Sequence, residues 1–175
     1  MSNGTTVKKR NGRGVEPLNL EKIHKMVEEA TKGLAGVSAS QVEIQSGIQF
    51  YDGITTEEIQ EILIKSASDL IDLDHPNYQF VAARLLLFAL RKSLYGKMRE
   101  LPHLEDHIYK CVNQEVYDAG LYDKYSKEDI EKANGYIDHG RDFLFTYAGL
   151  RQVVDKYLVQ DRSTGSVYET PQFMY

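Results

Sequence analysis

The residues best placed to do chemistry lie in a basic hairpin, Val7-Lys8-Lys9-Arg10-Asn11-Gly12-Arg13-Gly14-Val15-Glu16-Pro17-Leu18-Asn19, which runs into a helix start at Asn19-Leu20-Glu21-Lys22. The pattern predicts a short strand, a glycine-punctuated turn and a second short strand. Two lysines and two arginines beside a helix start make a seat for a polyphosphate, because cationic donors and the unpaired N–H groups of the helix face the same anion. Such a cluster serves equally as a solvated surface, a nucleic-acid patch or a targeting run. Lys92 is the other cation of interest, at the far end of a long apolar helix. If that helix returns its C-terminal end to the hairpin, Lys9, Arg10, Lys22 and Lys92 converge on one anion.

The remaining reactive residue types point to structure. Cys111 is the only cysteine, which excludes an internal disulfide and a cysteine-rich zinc cluster and fits a reducing compartment. It reads as a small buried residue. His24, His75, His103, His107 and His139 lack metal-ligand spacing with cysteine or paired carboxylates, and read as surface or structural histidines. Glu57-Glu58 and Glu128-Asp129 are first-turn acids that favour a helix dipole, and Tyr117, Tyr122, Tyr125 and Tyr136 read as packing residues.

These side chains need a scaffold, and 175 residues can bury about 70% of their unfolded surface, enough for one good core or two small ones. A composition of 42% hydrophobic and 27% charged residues is that of a soluble globular protein. The net charge of -5 argues against a general nucleic-acid binder, so the basic hairpin is a local patch on an acidic chain. With no apolar run long enough for a membrane span and no signal-peptide core, the expected location is cytoplasmic.

Leu20, Ile23, Val27, Ala30 and Leu34 recur at helical spacing, with Asn19 as N-cap and Gly33 as C-cap. Ser40-Gln41-Val42-Glu43 has capping-box spacing for a second helix with Ile44 and Ile48 on one face. Thr55-Thr56-Glu57-Glu58 opens a third, with Ile59, Ile62, Leu63, Ala67, Leu70 and Ile71 apolar, and Asp74-His75-Pro76 ends it. A fourth, from about Asn77 to Gly96, is apolar on more than one face and is the expected buried spine. Leu101-Pro102 marks a boundary. Leu104 to Cys111, a helix capped by Ser126-Lys127-Glu128-Asp129, and Arg141 to Tyr157 follow as helical stretches; Tyr157 to Glu169 reads as a hairpin, and Thr170 and Pro171 open one more helical turn. A natural domain seldom stops one turn into an apolar helix, so a piece of a longer protein is expected.

Five blocks, Val7-Lys8-Lys9-Arg10-Asn11-Gly12, Leu18-Asn19-Leu20-Glu21-Lys22-Ile23, Ile48-Gln49-Phe50-Tyr51-Asp52-Gly53-Ile54-Thr55-Thr56, Tyr78-Gln79-Phe80-Val81-Ala82-Ala83-Arg84-Leu85 and Leu90-Arg91-Lys92-Ser93-Leu94-Tyr95-Gly96, together resemble the ATP-cone of the class I ribonucleoside-diphosphate reductase large subunit, of bacterial or phage type. The resemblance continues through Ile137 to Asp142 and Lys156 to Gln160. It implies a mainly α fold: four helices capped by a small three-stranded sheet, third strand near Gly53-Ile54-Thr55, over residues 1–97. Residues 101–175 would be the helical N-terminal region of the large subunit, ending before the catalytic barrel.

The function the resemblance implies is allosteric: the cone binds ATP or dATP, with Mg2+, as a switch on ribonucleotide reduction. Lys9, Arg10, Glu16, Asn19, Lys22, Thr56 and Lys92 match nucleotide-contacting positions. Lys9, Lys22 and Lys92 would neutralise phosphate, Glu16 and Asn19 would bond base or ribose, and Thr56 would offer a hydroxyl at a helix start. Gln60 and Ala89 stand where the best-known bacterial members often carry histidines, a departure that bears on inhibition by dATP and its oligomer change. The family's reaction needs several cysteines, so this chain alone is expected to be inactive. Implied partners are the remainder of the large subunit, on the same or a separate chain, and the radical-carrying small subunit, with no membrane and no nucleic acid. The alternatives are a free-standing cone regulator, though the zinc-ribbon repressors of that kind carry a four-cysteine ribbon absent here, and a nucleic-acid-binding module.

Overall fold

The computed structural model describes residues 5–9, 12, 14–47 and 49–175. The hairpin forms β1 (Thr6–Lys8) and β2 (Val15–Pro17), paired antiparallel with Val7 opposite Glu16. Positive φ angles at Gly12 (67°) and Gly14 (107°) turn the chain, and the Lys9 N–H donates to the Gly14 carbonyl at 2.9 Å. β3 (Ile54–Thr55) adds parallel to β1, with Val7 opposite Ile54 and Lys8 opposite Thr55, so the sheet order is β2-β1-β3. Val7 and Ile54 point to one face and are buried there.

Residues 1–89 with 145–150 make one compact unit, and residues 90–144 with 151–175 a second. In the first, the sheet is followed by α1 (Leu20–Thr31), α2 (Ala39–Gly47), α3 (Thr56–Asp69) and the start of α4 (Tyr78–Tyr95). Asn19 caps α1 through Oδ1, which accepts from the Lys22 N–H at 3.0 Å; Lys32 is the C-cap and Gly33 follows with φ 75°. α3 opens on the expected capping box, Thr55 with Glu58. α4 is the buried spine: Val81, Ala82, Leu85, Leu87 and Phe88 are all interior. Its Tyr78 hydroxyl accepts from the Ser38 N–H at 3.0 Å and donates to Gln41 Oε1 at 2.5 Å, and Arg84 reaches the Ala30 and Lys32 carbonyls at the end of α1.

α2 departs from expectation. It begins at Ala39, so Ser40 lies inside the first turn and makes no cap; the Glu43 carboxylate meant to complete that box is held by His24 instead. α2 buries Val42 and Ser46 and leaves Ile44 69% exposed; Ile48 lies outside the described residues.

In the second unit, α4 ends at Tyr95, and α5 (Leu104–Asn113), α6 (Leu121–Lys124) and α7 (Lys127–Asn134) follow, the last with a Ser126–Asp129 capping box. The helix expected from Arg141 to Tyr157 is broken into a 3-10 turn (Arg141–Leu144) and α8 (Tyr147–Lys156). The break falls where Thr146 Oγ1 accepts from the Gly149 N–H at 3.2 Å and starts a new helix. β4 (Gln160–Asp161) and β5 (Ser166–Val167) form the hairpin, shorter than its sequence pattern, and α9 is Pro171–Met174. Thr170 precedes α9 without a side-chain cap bond.

This unit is held by two buried polar groupings. Arg91 donates to Asp142 Oδ2 at 2.9 Å and to the His139 carbonyl at 2.7 Å, and its guanidinium lies 5.1 Å from the Phe143 ring centroid. The His107 ring stacks on Phe173 at 4.2 Å beside Cys111, while Tyr117 donates to Glu169. Burial pushes the imidazoles of His107 and His139 down to about 4, so both are neutral structural residues at neutral pH. Cys111 is buried, and burial pushes its thiol up. Tyr122, Tyr125 and Tyr136 are 43%, 52% and 74% exposed, and so are surface residues rather than packing residues. α6 is four residues long with none buried, and α7 buries only Ile130, so neither offers an apolar face to cover them.

Candidate functional site

The register of the small sheet decides which polar side chains meet. Glu16 sits opposite Val7 in the middle of its pairing, and Lys9, two residues after Val7, shares that face. Because β2 runs antiparallel, Pro17 pairs with Thr6, and α1 leaves from that end of the sheet. Lys9 and Thr56 each follow a residue of the Lys8–Thr55 pair, so both leave from the opposite end. Glu16 lies between the two exits.

Both lysines reach it. Lys9 Nζ is 2.6 Å from Glu16 Oε2, and Lys22 Nζ, from the first turn of α1, is 3.6 Å from Glu16 Oε1. The Lys9 ammonium beside it, with Lys22 adding to the effect, holds the Glu16 carboxyl below the usual carboxylate range. Two cations face one carboxylate, leaving a surplus positive charge beside the N-terminal end of α1. All three side chains are partly exposed, at 41% for Lys9, 33% for Glu16 and 69% for Lys22, so the group is open to a solute.

The structure thus brings Lys9, Glu16 and Lys22 together. Asn19 adjoins them through the α1 cap, its Oδ1 committed to the Lys22 N–H. Thr56 is the first residue of α3, and its hydroxyl donates to Glu57 Oε2 at 2.9 Å. Lys92 is exposed on the last turn of α4, in the second unit. Arg10 lies outside the described residues. Gln60 is buried on α3 and Ala89 is half-buried on α4.

Further polar contacts tie the elements of this unit together. Asp52 Oδ1 accepts from both the Thr6 N–H (2.8 Å) and the Thr6 hydroxyl (2.7 Å), clamping the start of β1 to the turn before β3. The Tyr51 hydroxyl donates to Glu58 Oε1 at 2.7 Å, leaving Oε2 for the Thr55 N–H and hydroxyl. His24 faces Glu43 through Nδ1 at 2.7 Å and Glu28 through Nε2 at 3.2 Å. Of these, the Thr55–Glu58 box and the His24–Glu28 pairing, four residues apart on one helix, carry a sequence signal. Among the described residues no group of three His, Cys, Asp or Glu side chains is placed to hold a metal ion, and no helix is long and apolar enough to cross a membrane.

The chain is 49% identical over its whole length to the ribonucleoside-diphosphate reductase subunit alpha of Haemophilus influenzae and to the ribonucleoside-diphosphate reductase 1 subunit alpha of Escherichia coli, covering 23% of each. It is 45% identical over 157 residues, 89% of the chain and 20% of the relative, to the ribonucleoside-diphosphate reductase subunit alpha of Enterobacteria phage T4. The chain therefore spans about a quarter of the length of these relatives. Residues 5–93, holding every candidate residue named above, match the model of the ATP cone domain, and the chain belongs to that family.

Proposed function

We propose that this chain is the regulatory N-terminal portion of a ribonucleoside-diphosphate reductase large subunit, whose cone binds ATP or dATP and thereby controls the reduction of ribonucleotides for DNA synthesis. The observation that carries the reading is the Glu16 carboxylate held between Lys9 and Lys22, an internal anion where a phosphate would be neutralised. Lys9 and Lys22 bind phosphate, Asn19 and Glu16 bond base or ribose, and Thr56 offers its hydroxyl. Arg10 and Lys92 are assigned nucleotide contact on the family resemblance alone. No group of three or more protein ligands for a metal is found among the described residues, and Mg2+ arriving with the nucleotide would be held chiefly by its phosphates and water.

Reduction itself is assigned to the remainder of the large subunit, on the same or a separate chain, working with a radical-carrying small subunit in the cytoplasm. The reaction needs several thiols, and this chain's single cysteine is buried. Residues 1–97 act as the cone and 101–175 as the region leading to the barrel.

Calorimetric titration of the chain with ATP and dATP tests the reading. Micromolar binding, about -8 kcal/mol, is expected. Lys9→Ala, Lys22→Ala and Lys92→Ala each weaken it by about 1.5–3 kcal/mol, the range for a hydrogen bond to a charged group. With Gln60 and Ala89 in place of histidines, dATP is expected to show no marked preference over ATP. A folded chain that binds neither nucleotide refutes the regulatory role.

A further inference from the structure

We propose that the Glu16 carboxylate is the site's own competing anion: it occupies the phosphate seat between Lys9 and Lys22 in the free chain, is displaced by a nucleoside polyphosphate, and so makes the seat reject polyphosphates that carry no nucleoside. The inference rests on the nucleotide reading and goes further, making Glu16 a specificity-determining residue.

Lys9 and Lys22 meet at Glu16, one carboxylate oxygen to each ammonium. A phosphate that takes both ammonium groups must first break both contacts. The Lys9 contact is the closer, at 2.6 Å, and the Lys22 contact the looser, at 3.6 Å.

Once displaced, the carboxylate has nowhere remote to go. The backbone of Glu16, in β2, is pinned by its pairing with Val7 of β1, so only the side chain swings. It remains within a side chain's length of the incoming phosphates, and a like charge at that range is repulsive. A bare polyphosphate offers only acceptor oxygens, and the carboxylate, itself an acceptor when ionised, gains nothing from it. A nucleoside polyphosphate brings ribose hydroxyls and, in adenine, an exocyclic amine, all donors that the released carboxylate can accept from. Selectivity thus comes partly from penalising the wrong ligand, the one that leaves an ionised group unpaired. An ordinary glutamate carboxyl is already ionised at neutral pH, so the penalty is in force there even once the lysines have turned to the phosphates.

The test uses the whole chain and two probes, ATP and inorganic tripolyphosphate, titrated by calorimetry near neutral pH. In the wild type ATP binds well and tripolyphosphate poorly. Glu16→Gln, which keeps the shape and removes the charge, is expected to tighten tripolyphosphate by on the order of tenfold and to shrink the preference for ATP correspondingly; Glu16→Asp restores it. A second readout needs no variant: in the wild type the Glu16 carboxyl carbon, followed by NMR, should move to a higher titration point when tripolyphosphate takes the lysines. Tripolyphosphate affinity in Glu16→Gln that is unchanged or weaker, with ATP still bound by the wild type, overturns the inference and leaves the nucleotide reading standing, as does a Glu16 titration that tripolyphosphate does not move. Absence of ATP binding by the folded wild type overturns both.

Discussion

His24 shows how much a single residue can ask of pH. Both of its ring nitrogens face a carboxylate, Glu43 on α2 and Glu28 on its own helix. A neutral imidazole has one N–H and satisfies only one of them, whereas an imidazolium donates to both. The Glu43 hydrogen bond, helped by the charge of Glu28, accordingly raises the His24 pKa above its ordinary 6.5. A group raised on folding contributes stability that is complete below the unfolded value and fades as pH rises through the folded one. Melting curves across the weakly acidic to weakly alkaline range should therefore show the wild type's advantage over His24→Ala shrinking as pH rises. The opposite residue-scale case is the Arg91–Asp142 pair, with 4% and 0% of its side chains exposed. Asp142→Ala leaves a buried, uncompensated guanidinium and should cost about 3–5 kcal/mol in chemical denaturation, while the double change Arg91→Met with Asp142→Leu should cost much less.

At the scale of elements, the start of α3 is over-determined. Thr55 and Glu58 cap each other, and the Tyr51 hydroxyl orients the carboxylate from the preceding turn. Glu58→Ala removes the carboxylate half of the box and the Tyr51 contact while the residue-58 N–H still donates to Thr55 Oγ1, and should lower the melting temperature by more than Tyr51→Phe, which keeps the whole box. Local motifs like this box were legible in the sequence because donor and acceptor lie within three residues. The Ser40 box had the same spacing and failed, because two long-range contacts compete for the same stretch: Tyr78, 40 residues away, takes the Ser38 N–H, and His24 takes Glu43. α4 was legible for a different reason. A helix apolar on more than one face buries most of its surface, whatever the details of its neighbours.

For the whole molecule, the nucleotide reading makes a thermodynamic prediction independent of any variant. A ligand that binds only the folded state adds about 2.7 kcal/mol at a hundredfold excess over its Kd. ATP with Mg2+ should therefore raise the melting temperature of the chain in a concentration-dependent way, and Lys22→Ala should blunt the rise. Supplied with a ribonucleoside diphosphate and a thiol reductant, the chain by itself should form no deoxyribonucleotide.

What the amino-acid sequence determined by itself was the set of local and periodic features: the glycine-turned hairpin, the Asn19, Thr55 and Ser126 caps, the apolar spine and the five blocks that carry the family resemblance. Each is encoded within one stretch of chain, by spacing or by the conformational freedom of a residue type. Only the tertiary structure decided that Lys9 and Lys22 share Glu16, since that depends on strand register: antiparallel pairing places Glu16 opposite Val7, and a slip of one residue would turn it to the other face. The same holds for the Asp52 clamp on Thr6, 46 residues away, and for Arg91 with Asp142, 51 residues apart. Such pairs have no signature in spacing, because which charge meets which is settled by how the elements fold together.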